Sequence, residues 1–430
     1  MSLGNLLAEL STHTFAIDLR RGLLPKKTRV ALEEQETIDE DELLSSRTKQ
    51  AADIKATVEL AEGCVVALIT MLRNCCDAKE LESGKYALFA LSNVASLCRS
   101  SIVEEGGIEL FVSMACSEDP DTQRQALACV RSLCVSIDHR VSVIEKGMLD
   151  PLVLLSSSND DDIVQEVACA LNCLSSEDDI KEEISYRALA NLIIMLMSGD
   201  GVVEFHACGA IANLLEVLDI HTRFVEEKGL PPLISLCSSS DRPCRLEATR
   251  AVANLSSNPE LTQMLVEEDS IGPLVKSIAQ DGDDSRFAAL AVANLTTDAP
   301  TLFHIVQGGA IPHLADSISC ASNGIDGRRY CALAMANITA CEAFHSVVLE
   351  GGGVEALFSL ANTGDIVSMQ YISIGLSNLS ANTANHRAIV GMGGLQVALD
   401  GMNIDHLLFS PLFPPLTIPL PANHRTRIQY

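Results

Sequence analysis

At 430 residues with 47% apolar content, the chain is too long for one ordinary globular core and too apolar for wholesale disorder. Trp is absent and aromatic residues make up only 4% of the chain, which favours closely packed helices over β-sandwiches. A formal net charge of −27 excludes the basic footprint that a phosphate backbone demands, so no nucleic-acid partner is expected.

Residues 1–52 read as a charged extension, partly disordered. A short amphipathic piece (Leu6, Leu7, Leu10) leads to the basic cluster Lys26, Lys27 and Arg29 and then to an acidic run from Glu33 to Glu42. There is no signal-peptide layout and no apolar span of about 20 residues. Position 2 is Ser2 and the first cysteine is Cys64, so no direct lipid anchor is expected. The fifteen cysteines include no Cys-x-x-Cys pair and read as reduced, largely buried thiols. A cytoplasmic and/or nuclear location follows, with any membrane attachment made through a partner.

From residue 53 the chain repeats itself. The stretch RLEATRAVANLSS, ending near Asn254, returns as SRFAALAVANLTT at Asn294 and RRYCALAMANITA at Asn337. Aligning the closing position gives Asn93, Ser132, Cys173, Asn213, Asn254, Asn294, Asn337 and Asn378, in steps of 39 to 43 residues. A second marker is a glycine ahead of each apolar segment: Gly63, Gly107, Gly147, Gly229, Gly309, Gly353 and Gly394, with gaps near Arg187 and Ser270. Each unit is therefore expected to hold a short helix, a glycine turn, a second helix, a polar turn supplying N-caps, and a longer third helix. On that third helix the core columns lie two, six and nine residues before the closing position and one after it.

The pattern Gly-x-Ile/Leu-Pro-x-Leu followed by Ala-Leu/Val-x-Asn-Leu-Ser/Thr resembles the armadillo repeat over residues 53–405. The resemblance implies an all-α, right-handed superhelical solenoid of eight repeats plus a partial ninth, with the third helices lining a concave groove. The ninth repeat starts at Asn382 and runs into a proline-rich C-terminal tail over 406–430, where Pro411, Pro414, Pro415, Pro419 and Pro421 forbid a helix.

Positions four, seven and eleven before the closing residue share its face. The column seven before reads Tyr86, Gln125, Glu166, His206, Glu247, Phe287, Tyr330 and Tyr371, and the column eight before carries Lys85, Arg124, Arg286 and Arg329. The column four before holds Phe89, Arg250, Leu290, Leu333 and Ile374, and no Trp. In armadillo proteins of the importin-α and β-catenin type, the closing Asn holds the backbone of an extended peptide; an amide offers a donor and an acceptor together. The resemblance thus nominates Asn93, Asn213, Asn254, Asn294, Asn337, Asn378, Tyr86, Phe287, Tyr330, Tyr371, Arg286 and Arg329 as the protein-binding groove. Ser132 and Cys173 break the ladder, and a gap is expected there. The sequence looks most like the vacuolar and related scaffold armadillo proteins.

Signatures of chemistry are missing: there is no His-Glu-x-x-His, P-loop, Gly-x-Ser-x-Gly or dinucleotide fingerprint. Asp281-Gly-Asp-Asp284 lacks the calcium-binding Glu, having Val292 in its place. No catalytic residue, metal or cofactor is expected. The reading is a non-enzymatic scaffold that takes an extended segment of a partner protein. A nuclear transport adaptor for basic cargo is the alternative, and oligomeric state is open.

Overall fold

The computed structural model describes residues 61–76, 81–280 and 282–392. The expectations for the 1–52 extension, Gly394 and the 406–430 tail lie outside the described residues. Among these residues every regular element is a helix. The chain divides into two compact units, whose described parts are residues 61–191 and 192–392, and the division falls within the helix Lys181–Met195.

The first unit contains the third helices Leu81–Val94, Pro120–Cys134 and Asp161–Ser175, packed side by side in sequence order. The second contains five: Gly201–Leu214, Arg242–Leu255, Asp283–Leu295, Ile325–Thr339 and Ile366–Ala381, again each against the next. Shorter helices fill the connections, as in Ala299–Gln307 followed by Ala310–Ser319.

Local sequence explains where the third helices begin. Asp119, Asp160, Asp200, Asp241 and Asp365 each occupy an N-cap, accepting a backbone N–H of the first turn. Such a cap is worth about 1 kcal/mol. Asp283–Leu295 departs from this pattern: Gly282 is its N-cap and makes no side-chain bond. Asp284, one residue inside, is buried and receives the Arg242 guanidinium of the preceding repeat at 2.8 Å.

Three of the four core columns fall where the periodicity puts them: on Arg242–Leu255, Ala248, Val252 and Leu255 are fully buried. The column nine before the closing residue does not, since Arg245 is only half-buried and Cys244, ten before, is the buried residue. A buried Val or Leu contributes about 1.5–3 kcal/mol, and each repeat must share this burial with its neighbours. Small residues let the backbones approach: a Cβ on Gly375 would lie 3.6 Å from the Ala336 Cα.

The glycine markers prove to have two different jobs. At Gly106-Gly107, the left-handed residue is Gly106 (φ 75°), one position earlier than expected. Gly107 is needed for space, because a Cβ there would come within 2.6 Å of Ile102 Cγ2. Near Gly229 the left-handed residue is Lys228 (φ 61°), and a Cβ on Gly229 would strike the Phe224 ring at 2.3 Å. At the register gap near Ser270, Asp269 takes the left-handed turn without any glycine. No turn forms at Gly63, which lies inside a continuous helix over 61–76. The gap at Arg187 is likewise filled by one unbroken helix, Lys181–Met195.

Candidate functional site

Within the second unit the five closing asparagines lie on successive third helices, and four are tied to the repeat before. Asn254 Nδ2 donates to the Ala212 carbonyl at 2.8 Å. Asn294 Nδ2 donates to Ser256 Oγ at 2.9 Å, and Asn337 Nδ2 to Thr296 Oγ1 at 3.0 Å. Asn378 Nδ2 reaches both Thr339 Oγ1 and the Ala336 carbonyl at 3.3 Å. Each hydroxyl passes its own proton on: Ser256, Thr296 and Thr339 donate to the carbonyls of Ala253, Ala293 and Ala336 at 2.6–2.7 Å. Ser256, Thr296 and Thr339, each two residues after a closing Asn, thus relay the amide of the next repeat to the backbone. This explains the recurrent Asn-x-Ser/Thr. Where the relay hydroxyl is missing, at Leu215, Asn254 bonds the Ala212 carbonyl directly.

The donor half of these four amides is consequently used inside the array. Asn254, Asn337 and Asn378 are half-buried, while Asn294 is buried with its Oδ1 unbonded. Asn213 differs: its Oδ1 accepts from Arg250 Nη2 at 2.9 Å. Arg250 also meets Glu247 at 2.7 Å and the Gly209 carbonyl at 3.3 Å, so a polar cluster occupies this face at the fourth and fifth repeats.

Downstream the face changes character. Phe287, Leu290, Tyr330, Leu333, Tyr371 and Ile374 are all partly exposed, two from each of three adjacent third helices. Burial and the nearby Asp326 carboxylate push the Tyr330 phenol upward, and burial does the same to Tyr371. Both hydroxyls stay protonated at neutral pH, available as donors. Arg286 lies over the Phe287 ring, 4.5 Å from its centroid.

The basic column is not a free positive strip. Arg329 grips Asp365 through two bonds, at 2.5 and 3.0 Å, and Asp326 at 2.8 Å. In the first unit, Lys85 pairs with Asp119 at 3.0 Å and Arg124 with Asp160 at 3.4 Å. These three cations therefore join one third helix to the N-cap Asp of the next. Arg286 has no such aspartate to reach, because the following cap is Gly324; it pairs within its own helix with Asp283 at 3.1 Å.

The first unit presents Tyr86 and Phe89, exposed by 74% and 56% on Leu81–Val94. Asn93 is close by on the same helix, donating to the Phe89 carbonyl at 3.0 Å. At the ladder's break, Arg131 pairs with Glu166 at 2.5 Å, and the Ser132 carbonyl accepts from Arg99 at 2.6 Å.

A further column, on the first helices, is a structural device. Eight residues past the closing position, His221 and His345 contact the Leu215 and Thr339 carbonyls, each at 2.8 Å through Nε2. His386 contacts the Ser380 carbonyl at 2.7 Å in the same way. Arg140 does this in the first unit, donating to the Cys134 carbonyl at 2.8 Å. A side chain from the next repeat's first helix thereby satisfies an orphan carbonyl at the third helix's end. Counting offsets from the closing Asn would have exposed the column.

Two stretches, residues 90–135 in the first unit and 224–257 in the second, match the family model of the Armadillo/beta-catenin-like repeat. An engineered protein of known structure is 28% identical and superposes with a TM-score of 0.73, over 81% of this chain and 86% of that one. The chain carries armadillo repeats and shares their fold. Its fold is shared by a designed armadillo repeat protein, 23% identical with a TM-score of 0.51 over 54% of this chain and 99% of that one. A computationally designed armadillo repeat protein for modular peptide recognition has the same identity, TM-score and coverage. No curated protein sequence matches the chain. Among the described residues of the armadillo array, no single helix is long and apolar enough to cross a membrane. No group of three or more His, Cys, Asp or Glu there could hold a metal ion.

Proposed function

We propose that this armadillo protein is a non-enzymatic scaffold holding an extended segment of a partner protein across the third helices Asp283–Leu295, Ile325–Thr339 and Ile366–Ala381. The observation carrying this reading is the partly exposed strip of Phe287, Leu290, Tyr330, Leu333, Tyr371 and Ile374. Aromatic and aliphatic side chains aligned on one solvent-facing surface are the usual anchors of a protein interface. Beside them the Asn337 and Asn378 carbonyl oxygens can accept main-chain N–H groups, and the tyrosine hydroxyls can donate to main-chain carbonyls. Neighbouring third helices spaced by about 8–10 Å would give each repeat roughly three residues of an extended ligand at about 3.3 Å per residue.

The compensated arginines point to a ligand read by apolar side chains and backbone more than by acidic charge. The transport-adaptor alternative draws support from Asp283 and Asp326, which retain about half of their side-chain exposure (59% and 46%) beside the aromatic strip. Tyr330→Ala with Tyr371→Ala should weaken a bound segment while leaving helicity intact. Binding that persists in this variant and collapses on Asp283→Asn with Asp326→Asn would transfer the case to basic cargo.

A further inference from the structure

The first helices of the second unit change in charge part-way along. Counting five back from the left-handed turn residues Lys228, Asp269, Gly309 and Gly352 gives Arg223, Met264, His304 and Val347. On Leu218–Glu226, Arg223 pairs with Glu227 at 3.9 Å. Met264 takes the place of that cation on Thr262–Glu267, and Glu268, in the register of Glu227, has no Lys or Arg on its own helix. The deficit continues downstream. No Lys or Arg lies between Arg250 and Lys276, between Arg286 and Arg328, or between Arg329 and Arg387. The first helices Thr262–Glu267, Ala299–Gln307 and His345–Glu350 therefore carry none. Exposed Glu267, Glu268 and Glu350 stand at the C-terminal ends of two of them, where the helix dipole disfavours a carboxylate and favours a cation.

Apolar side chains stand out on the same helices. Met264, Phe303 and Val347 are 38%, 49% and 42% exposed, one on each of three successive first helices. Phe344, in the turn ahead of His345–Glu350, is partly exposed and sets its ring centroid 6.5 Å from that of Phe303 in the repeat before. Phe344 and Glu350 each lie three residues from Val347, and Glu267 and Glu268 lie three and four from Met264, so acid and apolar group are neighbours at helical spacing. A merely solvated acidic edge has no need of Met, Phe and Val, and an anionic lipid surface would be repelled by the carboxylates.

We propose that this side of the three first helices is a second docking surface, which takes an amphipathic helix of a partner protein carrying Lys or Arg beside an apolar stripe. The partner's cations supply what these helices lack, and its stripe covers Met264, Phe303, Phe344 and Val347. Neighbouring repeats spaced by about 8–10 Å match two turns of a crossing helix at about 5.4 Å each. An apolar residue at every seventh position would thus meet one first helix after the next. The third-helix groove takes no part, so the inference does not depend on the groove reading.

The probe is a fluorescein-labelled helix of about 14 residues, four turns, built of Leu and Lys with every Leu on one face. Its control has the same composition in an order that gives no apolar face. Titrated with the intact chain by fluorescence anisotropy, the amphipathic peptide should show a Kd about tenfold lower than its control. Phe303→Ser with Val347→Ser should erase that difference, and Tyr330→Ala with Tyr371→Ala should leave it unchanged. Glu267→Gln with Glu268→Gln should weaken both peptides. On the wild-type chain, the amphipathic peptide should slow hydrogen exchange at residues 262–268, 299–307 and 345–350, which decides the matter should the Phe303 variant fail to fold. Equal affinity for the two peptides, survival of the difference in the Phe303→Ser/Val347→Ser variant, or protection confined to the third helices overturns the assignment. So does Phe303-dependent binding to phosphatidylcholine vesicles, which would make this face a lipid contact.

Discussion

Asn337 spends the donor end of its amide on Thr296 of the preceding repeat. Its residue type was legible from the repeat; its internal bond was not, because the relay partner sits 41 residues away on another helix. Asp365 is a second residue with two roles, capping Ile366–Ala381 and holding Arg329. Arg329 and Ser368 keep its carboxyl well below the usual carboxylate range. A depressed carboxylate stabilises fully above its unfolded value near pH 4 and loses that contribution as pH falls toward the folded value. Asp365→Ala should therefore cost about 1–2 kcal/mol at pH 7, and the gap from wild type in urea melts should narrow as pH drops below about 4. His221 has the opposite charge type and the same sign of pH dependence. Burial lowers its folded value, so the unfolded chain takes up protons more readily. Stability held above about pH 6.5 should decline below it, and this part of the decline should vanish in His221→Gln.

At the scale of the helix, the turn between first and second helices separates what pattern can and cannot show. Glycine recurrence located the turns, yet two demands hide behind it, left-handed backbone and absence of a Cβ. Only the structure assigns them, to Lys228 and Gly229 respectively. Gly229→Ala should destabilise the array by about 1–3 kcal/mol, because the added methyl must displace the Phe224 ring. Lys228→Gly should stabilise it by up to about 1 kcal/mol through relief of left-handed strain. Thermal melts of both variants check the pair, and equal destabilisation by the two would refute the division of labour. The missing marker at Arg187 could not have revealed a fused helix. A sequence without a break signal is compatible with a turn made by other residues, as Asp269 demonstrates.

Across the molecule, the armadillo fold was open to sequence reading because its core columns repeat at fixed spacing and admit only small or aliphatic residues. The groove's charge was not, since Lys85, Arg124 and Arg329 are compensated by aspartates that belong to the following repeat. Pairing of that kind turns an apparently basic strip into a set of inter-repeat ties and leaves the aromatic residues as the exposed feature. The face spanning the last three described third helices is accordingly where a partner segment should dock. The decisive measurement is a titration of the intact chain with an unstructured peptide selected on it, compared with the Tyr330→Ala/Tyr371→Ala double variant by fluorescence anisotropy. The expected result is a Kd weakened by about tenfold or more with an unchanged circular dichroism spectrum. Equal affinity of both proteins for every selected peptide would contradict docking on this face.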